Sequence, residues 1–157
     1  MTHRVGETTG VTVPPPLLYL GPLVLGLVLH RLRPVPLLPR VWLARLLGGI
    51  LTGGSITLLA WALATMREAR TPPEPWKPTE RIVTRGPFRY TRNPIYLAFT
   101  GISLGVAALA NALWPVLLLP AALLAIQRGV IEREERYLER LFGDEYRRYK
   151  ARVRRWL

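Results

Sequence analysis

The chain alternates between long apolar segments and short segments that are rich in charge or proline. Apolar runs cover approximately residues 14–30, 41–66, 94–110 and 112–127, and the 35 residues from Asn93 to Gln127 carry no charge. A helix needs ~20 mostly apolar residues to cross ~30 Å of hydrocarbon. The pattern therefore predicts an all-α, polytopic membrane protein with about four transmembrane helices.

The polar segments between these runs predict where the chain turns. Residues 31–40 contain three arginines and three prolines, and residues 67–92 contain five prolines, so both segments should be loops. Asn111 separates the last two apolar runs, which should form a tight hairpin whose first helix is capped by the Asn93 side chain. From residue 128 to 157 apolar residues recur at helical spacing, which predicts a cytoplasmic amphipathic C-terminal helix with a local break at Gly143.

The distribution of positive charge predicts how the protein is oriented. The chain has 22 Lys and Arg against 10 Asp and Glu, and 18 of the 22 lie on the side that holds both termini and the segment 67–92. The positive-inside rule therefore places both termini and any site near this segment in the cytoplasm. We expect a single membrane domain over residues 1–157, with an N-terminal span and loop (1–40) and a core (41–157).

The side-chain inventory excludes several classes of function. The chain has no cysteine and two histidines, so disulfides, thiolate sites and cysteine nucleophiles are impossible, and we expect no metal. The basic charge is not accompanied by a recognition helix or a basic–aromatic sheet, so no nucleic-acid partner is expected. The cationic residues flank apolar runs instead, where membrane lipids are the natural partners. Residues 1–13 lack an apolar core, and we expect no cleaved signal peptide.

The residues that could carry chemistry cluster at the two ends of the charge-free hairpin. Arg128 and Glu132 are four residues apart and share a helix face, where they could form either a ligand clamp or a plain ion pair. Glu134, Glu135 and Glu139 alternate with arginines, which favours a solvated face. Phe88, Tyr90 and Tyr96 could stack on a planar ring or line its pocket, or each could be an interfacial anchor.

Several of these elements together resemble a known family. They are Gly86-Pro-Phe-Arg-Tyr-Thr-Arg-Asn-Pro-Ile-Tyr96, the charge-free hairpin, Arg128-x-x-x-Glu132-x-Glu134-Glu135-x-x-Leu138, Phe142-Gly143-Asp-Glu-Tyr146-x-x-Tyr149, and Arg152-Val-Arg-Arg155-Trp156. Over residues 41–157 this combination resembles the isoprenylcysteine carboxyl methyltransferase family, which is similar in turn to membrane phospholipid methyltransferases. The chain departs from the usual pattern at Asn93, where the family has His, and at Phe88, where it commonly has Tyr.

The resemblance implies a methyltransferase that uses S-adenosylmethionine and releases S-adenosylhomocysteine on the cytoplasmic side of the membrane. By position, it implies that cofactor is bound by Glu80, Arg81, Ile82, Val83, Phe88, Asn93, Pro94, Ile95, Tyr96 and Glu132. It also implies that Arg128 is the catalytic, substrate-contacting arginine. The acceptor would be hydrophobic: an isoprenylcysteine-type carboxylate, a lipid amine or a small thiol.

Two other functions fit the same pattern. One is a membrane reductase on a related scaffold that uses a nicotinamide cofactor, and the other is a non-enzymatic membrane interaction protein in which Arg128 and Glu132 form a plain ion pair. For the methyltransferase, we expect the acceptor to enter laterally between helices, where the small residues Gly101, Ser103 and Gly105 would leave a groove. The oligomeric state and the contribution of the N-terminal span are not predicted.

Overall fold

The computed structural model describes residues 14–74, 77, 79 and 81–157. All regular elements in this part of the chain are helical, which confirms the predicted fold class. The helices are α1 (Pro15–Leu32), α2 (Val41–Glu68), a 3-10 turn (Gly86–Arg89), α3 (Pro94–Leu109), α4 (Leu113–Ile126), a π turn (Gln127–Ile131), α5 (Glu132–Phe142) and α6 (Asp144–Arg152).

Proline fixes where two of these helices begin. Pro15 and Pro16 occupy the first turn of α1, and Pro94 starts α3. Proline suits these positions because the first N–H groups of a helix have no intrahelical acceptor and its φ is already helical. Asn93 precedes α3 as predicted, but its side chain does not cap the helix. That part of the prediction is wrong: the Asn93 side-chain amide donates a hydrogen bond to the Arg155 carbonyl instead.

Three helices are long and apolar enough to cross a membrane: Pro15–Leu32, Val41–Glu68 and the continuous helix Leu113–Phe142. The shorter apolar helix α3 has 16 residues and is therefore about 24 Å long. Large apolar side chains such as Leu20, Trp42 and Ile50 are about half exposed on the outer faces of α1 and α2. Such surfaces suit lipid tails. Three of the predicted spans are supported by length, and a full crossing by α3 stays a prediction.

The helices associate in two close pairs, α2 with α3 and α1 with α4, and α3 joins the pairs by also contacting α4 and α1. A Cβ atom on Gly48 would lie 2.6 Å from the backbone nitrogen of Leu109, and one on Gly101 would collide with the Ser55 hydroxyl. The expected groove at Gly101, Ser103 and Gly105 is therefore closed by α2. Small residues let these two backbones approach, and no space is left between them.

The hairpin between α3 and α4 turns at Asn111, as predicted. Asn111 has a φ of 49°, and its side chain accepts a hydrogen bond from the Leu38 N–H (2.9 Å) and donates one to the Leu38 carbonyl (3.1 Å). The loop between α1 and α2 is thereby fastened to the hairpin turn. This edge of the helical bundle lies opposite the edge at which α1 and α3 begin and α2 ends.

The charged C-terminal segment is less regular than a single amphipathic helix. It continues directly from α4 through the π turn into α5, breaks at Gly143 (φ 53°), resumes as α6, and becomes non-helical from Val153 onward. The predicted break at Gly143 is confirmed, since this backbone conformation is one that glycine adopts without strain. The π turn and the docked final residues, Val153–Leu157, were not predicted.

Candidate active site

A cavity of about 330 Å³ opens at the edge where the charged segments meet the apolar helices. One wall is apolar and is built by the first turn of α1, the last turns of α2 and the start of α3. Its members are Pro15, Pro16, Leu59, Leu63, Met66, Ile95 and Phe99. The facing wall is polar and includes Arg92, Asn93, Tyr96, Glu134, Glu135, Tyr146 and Tyr149. The cavity thus joins an apolar and a charged surface within one space.

The loop that follows α2 is held against this cavity by close backbone contacts. Gly86 has a φ of 59°, and a Cβ there would lie 2.5 Å from the Thr65 hydroxyl, so the site requires glycine. The following turn buries Phe88, whose carbonyl accepts a hydrogen bond from the Tyr149 hydroxyl at 2.8 Å. Helix α6 therefore fixes the turn that the sequence identified as a candidate cofactor loop.

A buried charge network lies next to the turn. Arg92 Nη2 is 3.2 Å from Glu135 Oε1, and both side chains are more than nine-tenths buried. Arg155 binds the same carboxylate with two hydrogen bonds, from Nε to Oε1 (3.0 Å) and from Nη2 to Oε2 (2.7 Å). Arg155 Nη1 is also 4.0 Å from Glu132 Oε1. Two arginines thus share one buried glutamate, and Arg155 links it to Glu132.

The last residues of the described chain dock onto the segment that precedes α3. The Arg155 carbonyl accepts hydrogen bonds from the Thr91 hydroxyl (3.1 Å) and from Asn93 Nδ2 (2.9 Å). The Arg92 N–H donates to the Arg154 carbonyl at 2.9 Å, and Trp156 packs against the core between α1, α3 and α4. This segment holds Thr91, Arg92 and Asn93 in place behind the cavity lining.

Arg92 brings a buried positive charge to the cavity wall. Its Nε and Nη1 atoms make no hydrogen bond of good geometry, but each has less than 1 Å² of accessible surface and so faces protein, with the Tyr146 hydroxyl close by. The charge can attract the carboxylate or phosphate of a ligand in the cavity.

A second polar group in the cavity is linked to the helical core. The Tyr96 hydroxyl donates to Glu134 Oε1 at 2.7 Å. The Tyr19 hydroxyl of α1 donates to the Tyr96 carbonyl (2.9 Å) and lies 3.0 Å from the Thr100 hydroxyl. Helix α1 thus supports the residue that positions Glu134, and its Pro15 lines the cavity directly. The N-terminal span is part of the site.

Two tyrosines of α6 complete the polar wall in their protonated form. Burial raises the pKa of Tyr146 to about 12, and Tyr146 lies next to both Arg92 and Glu135. Burial also raises the pKa of Tyr149 well above its usual value. Both hydroxyls therefore stay neutral at physiological pH and can act as hydrogen-bond donors.

The structure brings most of the predicted cofactor residues together. Eight of them line the cavity: Arg81, Ile82, Val83, Phe88, Asn93, Pro94, Ile95 and Tyr96. Glu80 lies outside the described residues. Glu132 does not line the cavity. It is connected to the lining residue Asn93 through Arg155, whose side chain approaches Glu132 and whose carbonyl accepts a hydrogen bond from Asn93.

Arg128 lies apart from this group. It is exposed on the π turn and is not among the residues that line the cavity. The predicted pairing with Glu132 assumed regular helical spacing, whereas a π turn carries an extra residue and displaces side chains four apart from a common face. The roles assigned to Arg128 and Glu132 stay predictions.

Sequence reasoning missed Arg92, Glu134, Glu135 and Arg155 as site residues. Alternation of glutamate and arginine suggested that the α5 carboxylates were solvated, but Glu135 is only 6% exposed. One signal was available: Glu134 and Glu135 are adjacent, and Leu138 follows four residues after Glu134, so both carboxylates lie near an apolar face of α5. The contact of Arg155 with Glu135 could not be read from spacing, because it depends on the turn at Gly143.

Comparisons with known proteins agree with this architecture. The profile of the phospholipid methyltransferase family matches residues 43–145, about two thirds of the chain. A protein of Haemophilus influenzae (strain ATCC 51907 / DSM 11121 / KW20 / Rd), described as uncharacterized, is 66% identical over 35 residues, which cover 22% of this chain and 56% of that protein. The match therefore spans little more than half of that relative. No solved structure matches the chain.

The family match and the fold support one another. The matched region contains α2, the candidate cofactor turn, the hairpin and the carboxylates of α5. Three helices are long and apolar enough to span a bilayer, so the protein is an integral membrane protein. The predicted resemblance is confirmed, and the chain belongs to the phospholipid methyltransferase family.

Proposed function

We propose that the protein is an S-adenosylmethionine-dependent methyltransferase that methylates a lipid amine at the cytoplasmic interface of the membrane. The observation that carries the proposal is the cavity that is lined both by charged side chains, among them Arg92 and Glu134, and by apolar side chains of α1, α2 and α3. Small-molecule sites usually have volumes of ~300–1,000 Å³ and are lined by a few charged groups among apolar ones, and this cavity has both properties.

The residues present fit the cofactor. The buried positive charge of Arg92 would attract a carboxylate, such as the one at the amino-acid end of S-adenosylmethionine. Glu134 offers a carboxylate to a cationic group, and Phe88 and Val83 provide apolar contacts. When bound, the cofactor would supply an electrophilic methyl group on its sulfonium. The chain itself contributes binding, orientation and exclusion of water.

The apolar wall supports a lipid as the acceptor. Leu59, Leu63 and Met66 of α2 face Pro15 and Pro16 of α1 across the cavity. Within the described helices, α1 and α2 make at most marginal contact with each other. A gap between them at this edge would let an acyl chain enter from the bilayer while its headgroup stays at the polar wall. This replaces the groove that we expected at Gly101 and Gly105.

Glu134 supports an amine among the possible headgroups. An amine must lose a proton before its nitrogen can act as a nucleophile. Glu134 receives a hydrogen bond from the neutral Tyr96 hydroxyl and lies in the cavity, whereas neighbouring Glu135 is occupied by two arginines. Glu134 can therefore accept the ammonium proton of a lipid headgroup, and Tyr96 orients its carboxylate.

The cytoplasmic placement rests on charge. Among the described residues, the edge that holds the cavity carries the chain segments with 17 of the 22 Lys and Arg, and we infer from this charge that the edge faces the cytoplasm. S-Adenosylmethionine would then enter the cavity from the cytoplasm. Protease protection of a C-terminal tag in sealed inside-out and right-side-out vesicles tests the orientation.

Binding and turnover of the purified full-length protein test the function. We expect S-adenosylhomocysteine to bind measurably in calorimetry, and radiolabelled methyl groups to reach phosphatidylethanolamine in mixed micelles. Glu134→Gln should lower turnover by at least tenfold, while Tyr90→Phe, at an exposed position, should not. A protein that is stabilised by a nicotinamide dinucleotide and not by S-adenosylhomocysteine would contradict the proposal. Methylation of a prenylcysteine or a thiol instead of the amine would exclude the proposed acceptor.

A further inference from the structure

The charged side chains that line the cavity are not all paired. Among the described residues there are five of them: Glu74, Arg81, Arg92, Glu134 and Glu135. Arg92 and Glu135 pair with each other at 3.2 Å, and Glu74 pairs with Lys77 at 2.8 Å. Arg81 and Glu134 form no ion pair with any residue that the structure describes. The cavity lining therefore contains one cation and one anion that lack a partner of opposite charge in this part of the chain.

The segment that carries Arg81 lies against the helix that carries Glu134. The Thr79 N–H donates a hydrogen bond to the Tyr137 hydroxyl at 3.3 Å, and Tyr137 follows Glu134 by three residues on one face of α5. Arg81 is two residues after Thr79, and two residues of extended chain span at most ~7 Å. The Arg81 carbonyl also accepts a hydrogen bond from the Thr71 hydroxyl at 3.4 Å. Arg81 and Glu134 are thus held in neighbouring parts of one cavity.

We propose that Arg81 and Glu134 together recognise a zwitterionic ligand group, in which Arg81 contacts the anion and Glu134 contacts the ammonium. Arg81 is exposed at the cavity, so its guanidinium is accessible to a ligand. Arginine suits this contact because a guanidinium binds two oxygens of a phosphate or carboxylate with parallel N–H donors. The inference rests on the proposed function, in which Glu134 takes a proton from the ammonium of the methyl acceptor.

Two molecules of the proposed reaction carry such a group. The headgroup of phosphatidylethanolamine joins a phosphate to an ammonium, and the amino-acid end of S-adenosylmethionine joins a carboxylate to an ammonium. The lipid headgroup would make Arg81 a residue that selects the acceptor, whereas the amino-acid end would give Arg81 the cofactor role that the sequence predicts. In both cases a ligand with two opposite charges is preferred to a ligand with one, because each unpaired charge of the lining then has a partner.

Substitution of Arg81 in the full-length protein in detergent tests the proposal. Arg81→Gln removes the charge, and the control Arg89→Gln removes an exposed arginine that does not line the cavity. If the lipid is the source, the KM for phosphatidylethanolamine rises about fivefold in Arg81→Gln, with kcat and the Kd of S-adenosylhomocysteine nearly constant. If the cofactor is the source, the Kd of S-adenosylhomocysteine rises about fivefold instead, while 5′-methylthioadenosine, which lacks the amino-acid end, binds as before.

Three further readouts separate recognition of charge from support of the fold. Arg81→Glu should lose more affinity than Arg81→Gln, because it repels the anion that the wild-type protein attracts. Added salt should weaken ligand affinity more in the wild-type protein than in Arg81→Gln, since salt screens contacts between exposed charges. Glu134→Gln should raise the same constant as Arg81→Gln, because it removes the partner of the ammonium in the same ligand.

The proposal is overturned if KM and Kd are unchanged in both Arg81 variants, or if the two variants lose affinity equally. It is also overturned if Arg81→Gln and Glu134→Gln act on different ligands, one on the lipid and the other on the cofactor. A wild-type protein that neither binds S-adenosylhomocysteine nor methylates phosphatidylethanolamine would instead count against the proposed function.

Discussion

Replacement of Arg92 by Lys tests the central feature of the cavity with little disturbance of the fold. Lysine keeps the positive charge next to Glu135 but presents one ammonium group where arginine has three separate nitrogen atoms. Glu135 also keeps its two hydrogen bonds from Arg155. The substitution therefore changes the geometry and the reach of the positive charge at the cavity more than it changes the ion pair.

The expected loss follows from the number of donors. A hydrogen bond between a charged group and its partner contributes about 1.5–3 kcal/mol. We expect an anion in the cavity to make one such contact with the Arg92 guanidinium, and a lysine that stays paired with Glu135 would lose it. At least about 1.5 kcal/mol should therefore disappear, which corresponds to roughly tenfold weaker binding, with about 100-fold as the upper range.

Isothermal titration calorimetry with S-adenosylhomocysteine measures this loss, and thermal unfolding in the same detergent checks stability. Arg89→Lys is the matched control, since Arg89 is exposed three residues earlier. We expect Arg92→Lys to unfold within a few degrees of the wild-type protein while its Kd rises at least tenfold. Unchanged Kd for S-adenosylhomocysteine together with unchanged KM for phosphatidylethanolamine would refute the assignment of Arg92 as an anion site.

Three further substitutions test packing, pH dependence and the predicted clamp. Gly48→Ala should destabilise the folded protein by about 1–3 kcal/mol in unfolding experiments, because the added Cβ would lie 2.6 Å from the Leu109 nitrogen. The control Gly49→Ala should be neutral or stabilising, because its Cβ would have no atom within 4 Å. Burial raises the pKa of Tyr146 from 10 to about 12, so between these pH values the folded protein keeps a proton that the unfolded chain releases. The free energy of unfolding should therefore fall as the pH rises from 10 toward 12. Tyr146→Phe should reduce that slope in pH-dependent unfolding curves. Arg128→Ala should leave S-adenosylhomocysteine binding within twofold, and a loss of acceptor turnover alone would support its predicted role.

The helical framework could be predicted because its boundaries depend on local chemistry. Pro94 begins α3 in the structure as it does in the sequence pattern, and Asn111 and Gly143 adopt positive φ values where a break was expected. Proline fixes its own φ at a helical value, and glycine adopts a positive φ without strain, so these residues favour their observed backbone conformations locally. The predicted ends of the apolar runs consequently fall within one or two residues of the observed helix ends.

The partners of the charged residues could not be predicted in the same way. Arg128 and Glu132 were paired by helical spacing, and the π turn Gln127–Ile131 changes that spacing. The contact that orders the site joins Arg155 to Glu135 across the reversal at Gly143, and the Asn93 amide donates to a carbonyl 62 residues away. Such contacts depend on how α5, α6 and the final segment pack together, and no local pattern encodes them.

The place of the cavity has a direct consequence for what can fill it. Arg92 immediately precedes the charge-free run, and the charged residues resume at Arg128, so the two groups can meet only at one edge of the apolar helices. A wholly water-soluble ligand would leave the apolar wall formed by Leu59, Leu63 and Met66 in contact with water, which loses about 25 cal/mol for each Å² left unburied. A wholly apolar ligand would remove water from the charged lining residue Glu134 without pairing it, at a cost of several kcal/mol. Ligands that together supply a charged group and an apolar chain satisfy both walls, and a nucleoside cofactor with a lipid acceptor is such a combination.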